Sequence, residues 1–330
     1  MAMAWVRRVA PAVGLFLVAP LVAEFLLGDL PINLLAALVL LAPLYGGGAL
    51  LIREAVRRTG RGWPSILVLA FAYAVFEEAF TTQTLFNPNY LRLNLHLLEP
   101  AYIPALGIGA WWTIFVLTLH TVWSISVSIG LVEALVPGRA TAPWLGWAGL
   151  GITVWLFMLA AIASTAIEIK QDHFVASVPQ FAVSAFICLI TAVAAFWLPR
   201  TSTIRGPGWV PGPWLVGAAG LAAGSIFLMV PKAWGWGAVG VYLLLDFVAI
   251  ATVFVFSRRA GWNSRHRLAL AGGAALAYAW HAFRQTPAVG AGGRLDRAGN
   301  AIFAAGLIIL LVIAARRTAQ KLEAIPDPAA

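Results

Sequence analysis

The chain has 330 residues, of which 61% are hydrophobic and only 11% charged, and its formal net charge is +9. Soluble domains carry about 25% charged residues, so this composition excludes a soluble domain. Scattering of the basic residues over short loops excludes nucleic acid as a partner, and the single cysteine, Cys188, excludes an internal disulfide or a cysteine-based metal cluster.

Arg7 and Arg8 precede an apolar run from Val9 to Leu27. That run exceeds the roughly 7–15 residues of a signal-peptide core, so it reads as a retained first span. A span needs about 20 mostly apolar residues, and on that rule helices are predicted at 9–28, 31–52, 63–86, 109–136, 144–167, 177–198, 213–231, 235–257, 266–283 and 300–315. Gly60-Arg61-Gly62, Pro137-Gly138, Pro199, Gly206-Pro207-Gly208 and Pro211-Gly212 punctuate the connections. Tryptophans near the predicted ends, among them Trp63, Trp111, Trp144, Trp214 and Trp236, fit aromatic belts at the headgroups.

With the N-terminus inside, sixteen of the 22 basic residues, Arg205 included, fall in inner segments and six in outer ones. That asymmetry follows the positive-inside rule. The expected fold is therefore all-α: a polytopic transmembrane bundle of about ten spans, with both termini cytoplasmic. It forms one transmembrane domain over 1–317, followed by a polar tail over 318–330 that is expected to be disordered. Its partner is the lipid bilayer, and arginine over lysine, 19 to 3, with abundant Ala and Gly, suggests a bacterial plasma membrane.

The third predicted span holds the most informative residues. Glu77 and Glu78 are adjacent within an apolar stretch, preceded by Tyr73 and followed by Thr81-Thr82-Gln83-Thr84 and Asn87-Pro88. A carboxylate at membrane depth costs about 2.5–3.5 kcal/mol on insertion scales, and such residues face a bundle interior or a water-filled cavity. On a helix Glu77 shares a face with Thr81, and Glu78 with Thr82. The fourth span carries His120 at similar depth, with Ser124 and Ser128 below it. An imidazole opposite two carboxylates suits a metal site or a proton relay. Glu24, Glu168, Asp172, His173, Asp246 and His281 also lie toward the outer side or mid-span. Glu54 and Glu133 lie near arginine-rich inner ends and are expected to pair there.

A membrane helix with Glu77-Glu78, followed one helix later by His120, resembles the CAAX-protease and bacteriocin-processing family of intramembrane proteases. That family combines Glu-Glu-x-x-x-Arg, Phe-x-x-x-His and His-x-x-x-Asn motifs inside a helical bundle. Here Thr82 stands in place of the arginine, Val116 in place of the phenylalanine, and the third motif is represented by His173 and Ser177. The resemblance implies that a glutamate activates water for attack on a peptide bond while histidines bind metal or steer the attack.

Three readings follow. In the first, an intramembrane metalloprotease-like hydrolase, Glu77 is the base and Glu78, His120 and His173 complete a site around water or Zn²⁺; the substrate is a membrane-embedded or lipidated peptide. The second is a proton-coupled transporter using Glu77, Glu78 and Asp246. A faint echo favours it, since Tyr73 precedes Glu77 by four residues as Tyr242 precedes Asp246. The third is a non-catalytic membrane protein in which these residues are interhelical glue.

Overall fold

The computed structural model describes residues 2–198, 200, 206–290 and 292–323. Pro199, Arg205 and the tail from 324 onward lie outside the described residues. Among those described, ten helical rods fall on the ten predicted segments. We number them α1 (Ala2–Pro20, continued by a π turn Leu21–Phe25), α2 (Ile32–Arg58), α3 (Trp63–Thr81), α4 (Ala110–Leu135), α5 (Trp147–Asp172), α6 (Val178–Trp197), α7 (Pro213–Met229), α8 (Trp236–Ser257), α9 (Ser264–His281) and α10 (Arg294–Glu323). A short hairpin, β1 (Tyr102–Ile103) and β2 (Ile108–Gly109), pairs Tyr102 with Gly109 and Ile103 with Ile108 before α4 begins.

Seven of the rods, α2 to α6, α8 and α10, are long and apolar enough to cross a membrane. α1 and α7 are apolar but shorter, and α9 opens on Arg265, His266 and Arg267, which dilute its hydropathy. The protein is thus a mostly helical, polytopic bundle of the cell membrane. α10 runs through Glu323, so the segment from Thr318 that composition marks as disordered starts out helical.

Local chemistry explains the boundaries. Proline opens α3, α6 and α7 at the first turn, where its missing N–H costs nothing. A capping box of Ser177 and Gln180 starts α6, and Asn263 with His266 starts α9. α5 ends where His173 adopts a left-handed conformation (φ 55°).

α4 is the central rod: 72% of its apolar window is buried, against 11% for α6 and α8, which present apolar faces outward. Around it the helices approach closely through small residues, as membrane packing requires. α7 lays Gly217, Gly220 and Gly224 against α9, and a Cβ on Gly273 would stand 2.1 Å from the Gly217 carbonyl oxygen. Neither partner is a side chain that can swing aside. Gly273→Val is therefore expected to cost about 3 kcal/mol or more, the upper end of overpacking. Gly306→Val, with open space around its Cβ, should change the detergent melting temperature little; equal shifts for the two variants would contradict this packing.

One end of the bundle is locked by buried charge. Glu133 of α4 accepts Arg53 Nε at 3.0 Å and a fork from Arg57 at 2.9 and 2.8 Å. Glu54 accepts the backbone N–H of Trp144 at 2.7 Å and pairs with Arg53 and Arg58 at 3.1 and 3.2 Å. Arg53 also donates to the carbonyls of Ala140 and Ala142, and its guanidinium lies over the Trp144 ring. The expected pairing of Glu54 and Glu133 thus also clamps the α4–α5 loop.

Candidate metal centre

Four rods leave regular α geometry at one level of the bundle. π turns occupy Leu21–Phe25 in α1, Ala42–Gly46 in α2, Glu77–Thr81 in α3 and His120–Val127 in α4. Such i→i+5 bulges concentrate at functional sites. Two have an evident local cause. Pro20 precedes the first and Pro43 lies in the second, and a proline removes a donor from the helical ladder. In α2 the Gly46-Gly47-Gly48 run then lets backbones meet: a Cβ on Gly46 would be 2.0 Å from the Phe16 carbonyl oxygen, and one on Gly48 would enter the Tyr73 ring.

Glu77, Glu78 and His120 converge inside this ring of bulges, with 1%, 3% and 5% of their surfaces exposed. One potential ligand atom from each lies within 4.8 Å of the others. Adjacent glutamates on a regular helix diverge by about 100°, yet from the π turn both reach the same imidazole. His120 Nε2 is 2.7 Å from Glu78 Oε1, and Nδ1 is 2.9 Å from Glu77 Oε2.

The two carboxylates are held differently. Glu78 is saturated: its Oε2 accepts Thr82 Oγ1 at 3.3 Å and the Thr84 hydroxyl, which itself accepts Trp112 Nε1 at 2.8 Å. Glu77 Oε1 accepts the Tyr45 hydroxyl at 2.9 Å, and the Tyr45 ring stacks on the imidazole. Glu77 Oε2 is buried without a hydrogen-bond partner, because His120 Nδ1 approaches it off the hydrogen-bond line and is satisfied by Ser124 Oγ at 3.0 Å. The site therefore has one carboxylate hydrogen-bonded through both oxygens and one whose second oxygen meets the imidazole in ion-pair range but accepts no hydrogen bond. A nitrogen and two carboxylate oxygens at this separation form a donor set that a divalent metal ion accepts.

The other sequence candidates lie elsewhere. His173 stands exposed at the end of α5, and Ser177 caps α6, so the third motif of the resemblance marks a helix–helix turn and His173 is not part of the convergent group. Asp172 accepts Asn87 Nδ2 at 2.6 Å and the Leu91 N–H, which fixes the loop leaving α3, and Glu168 accepts Tyr90 Oη at 3.4 Å. Asp246 accepts Thr118 Oγ1 at 2.8 Å, which ties α8 to α4. Two residues join the site without having been singled out for it by sequence. Tyr45 was hidden in an apolar run beside Pro43 and the glycines. Glu24, one of several further polar candidates in the sequence, lies beside Tyr45 and within electrostatic range of the triad.

Beyond Glu24 the chain folds back: the N–H groups of Asp29 and Leu30 both donate to the Glu24 carbonyl, at 3.0 and 3.3 Å. Burial, then the Glu24 charge, push the Asp29 carboxyl from its ordinary 3.8 up to about 8. The folded state thus holds this proton more tightly than the unfolded chain. Its contribution to stability is fully present below the ordinary value and is lost as pH rises toward 8. Between pH 5 and 8, in detergent with chelator, the melting temperature is expected to fall, and Asp29→Asn to flatten the fall; an unchanged slope in the variant would contradict the assignment.

A family model described as an uncharacterized membrane protein family matches residues 15–287. The chain belongs to that family. The matched region contains Glu24, Tyr45, Glu77, Glu78 and His120 and ends before α10. No curated protein and no solved structure matches the chain.

Proposed function

We propose that the protein is an intramembrane, metalloprotease-like hydrolase whose centre is Glu77, Glu78 and His120. The supporting observation is the unequal treatment of the two buried glutamates. Glu77, steadied by Tyr45 and with its second oxygen facing the imidazole without a hydroxyl donor, is suited to take a proton from water as general base. Glu78 is committed to Thr82, Thr84 and His120, and it orients the imidazole. The donor set suits Zn²⁺: Glu78 and His120 would hold the ion, with Glu77 beside it as the base. Such an ion would supply Lewis-acid polarisation of the scissile carbonyl. Glu77, having taken the proton from water, can return it to the leaving amine, while His120 lies within reach of both carboxylates and fixes their geometry. The resemblance to the CAAX-protease and bacteriocin-processing family agrees with this reading, with Glu77, Glu78 and His120 carried over and His173 left out.

An apolar groove of about 390 Å³, lined by Phe76, Phe80, Ala185, Cys188 and Leu189, runs between α3 and α6 beside the turn that bears Glu77. A membrane-embedded or lipidated peptide has the apolar character to approach along it. The positive-inside distribution supports ten spans with cytoplasmic termini and a centre in the outer half of the bilayer. The transporter reading needs Asp246 to share a path with the glutamates. Asp246 instead faces Thr118, which lies about 200° around α4 from His120 by regular helical geometry.

The test is cleavage of a panel of membrane-spanning and lipidated peptides by the protein in liposomes. Wild type should cleave at least one, and Glu77→Gln should be slower by about 10²–10⁴-fold, the usual contribution of a general base. Tyr45→Phe should retain a measurable rate. Full activity in Glu77→Gln would end the proposal.

A further inference from the structure

One helix grips Glu78 through both of its oxygens. Oε1 lies 2.7 Å from Nε2 of His120 in α4. Oε2 accepts the Thr84 hydroxyl, and that hydroxyl accepts Nε1–H of Trp112 at 2.8 Å. Trp112 is also in α4, about two turns before His120. The longer bond from Thr82, at 3.3 Å, meets the same Oε2.

The loop beyond α3 places Thr84 for this contact. The chain folds back along Glu78, with the Leu85 N–H donating to the Glu78 carbonyl at 3.4 Å. Gln83 takes part in that reversal in a left-handed conformation (φ 56°), uncommon for a residue with a side chain. It is fixed there by the Ala176 N–H, which donates to its side-chain carbonyl at 2.8 Å. Gln83 and Thr84 are both buried, so water does not compete for these bonds.

The direction of the chain follows from its members. An indole N–H only donates, an ionised carboxylate only accepts, and a threonine hydroxyl has one proton to give. With Trp112 donating to the Thr84 oxygen, the Thr84 proton is directed to Glu78 Oε2. Oε1 is then the oxygen that Glu78 presents to the imidazole, and to an ion held between them. The Trp112 ring itself packs on Trp111 and Phe115, with centroids 5.9 and 5.7 Å away.

We propose that Trp112 is a positioning residue of the centre, acting through Thr84 to fix which oxygen Glu78 presents. It contacts neither His120 nor Glu78 by a hydrogen bond of its own. Its effect on an ion rests on the metal-binding reading of the centre; its effect on the Glu78–His120 contact does not.

The experiment is Zn²⁺ competition against a fluorescent chelator, using the detergent-purified full chain, across Trp112→Phe, Thr84→Val and the double variant. Trp112→Phe keeps an aromatic ring beside Trp111 and Phe115 and removes the donor. Each single variant should weaken Zn²⁺ binding by about 10–100-fold, the usual effect of losing a hydrogen bond behind a ligand. The double variant should bind no more weakly than Thr84→Val, because the two residues act in series. Thr84→Ser, which keeps the hydroxyl, should bind as wild type does. The proposal falls if Trp112→Phe binds as wild type, or if it costs as much again in the Thr84→Val background, which would assign the loss to packing. The ¹⁵N resonances of the His120 ring in chelated protein, identified by their absence from His120→Ala, separate this role from the metal reading. Trp112→Phe should shift them in the wild-type background and leave them unmoved in Thr84→Val. That pattern in a wild type that binds no Zn²⁺ ends the metal reading and leaves Trp112 its positioning role; no Zn²⁺ and unmoved resonances end both.

Discussion

His120→Ala is expected to lower stability by about 3–5 kcal/mol in metal-free protein, the range for removing one partner from a buried ion pair. Glu77 and Glu78 would then be buried side by side with no imidazole between them, Glu77 retaining Tyr45 and Glu78 retaining two threonines. Hydroxyl donors solvate a carboxylate but do not neutralise it. Adding Glu77→Gln and Glu78→Gln should recover much of the loss, because amides have no charge to strand. Thermal unfolding in detergent with chelator compares the two. If the triple variant were no more stable than His120→Ala, repulsion between the glutamates would not be the cause.

Glu133→Ala should produce a loss of similar size for a different reason. Its carboxylate is the joint acceptor for Arg53 and Arg57, both within the bundle, and Arg57 would be left with the Arg61 carbonyl and the Trp63 ring, neither of them a counter-charge. The expected cost is again about 3–5 kcal/mol. Arg53 retains Glu54 and the loop carbonyls, so the damage should centre on the α2–α4 contact. Replacing Arg57 and Glu133 together by Leu should cost far less than Glu133→Ala alone, since a well-packed apolar pair removes the stranded charge. A double variant as unstable as the single one would assign the loss to packing.

The rods were legible because their signals are local. Apolar runs of span length, prolines at first turns and glycines in connections require no knowledge of neighbours. Glu77, Glu78 and His120 stood out for the same reason, as polar residues whose burial in an apolar run needs a partner. Their meeting with His120 was expected from polarity and depth, but how adjacent glutamates could both reach one ring was not legible, because a regular helix separates adjacent positions by about 100°. It is the π turn that brings both to His120, and the turns in α3 and α4 contain no proline to announce them. Tyr45 escaped because a tyrosine in an apolar span is ordinary; its role depends on Gly46 and Gly48 admitting Phe16 and Tyr73, a tertiary fact. His173 misled because a histidine four residues before a serine also describes a helix end followed by a helix cap.

The central claim is that Glu77, Glu78 and His120 form one metal-binding centre. Elemental analysis of detergent-purified protein tests it most directly, comparing wild type with Glu77→Gln/Glu78→Gln, which removes both carboxylates. We expect about one zinc per wild-type chain, and none above background in a variant that elutes as the same monodisperse species. Equal zinc in both proteins, or none in wild type supplied with zinc during expression, would contradict it.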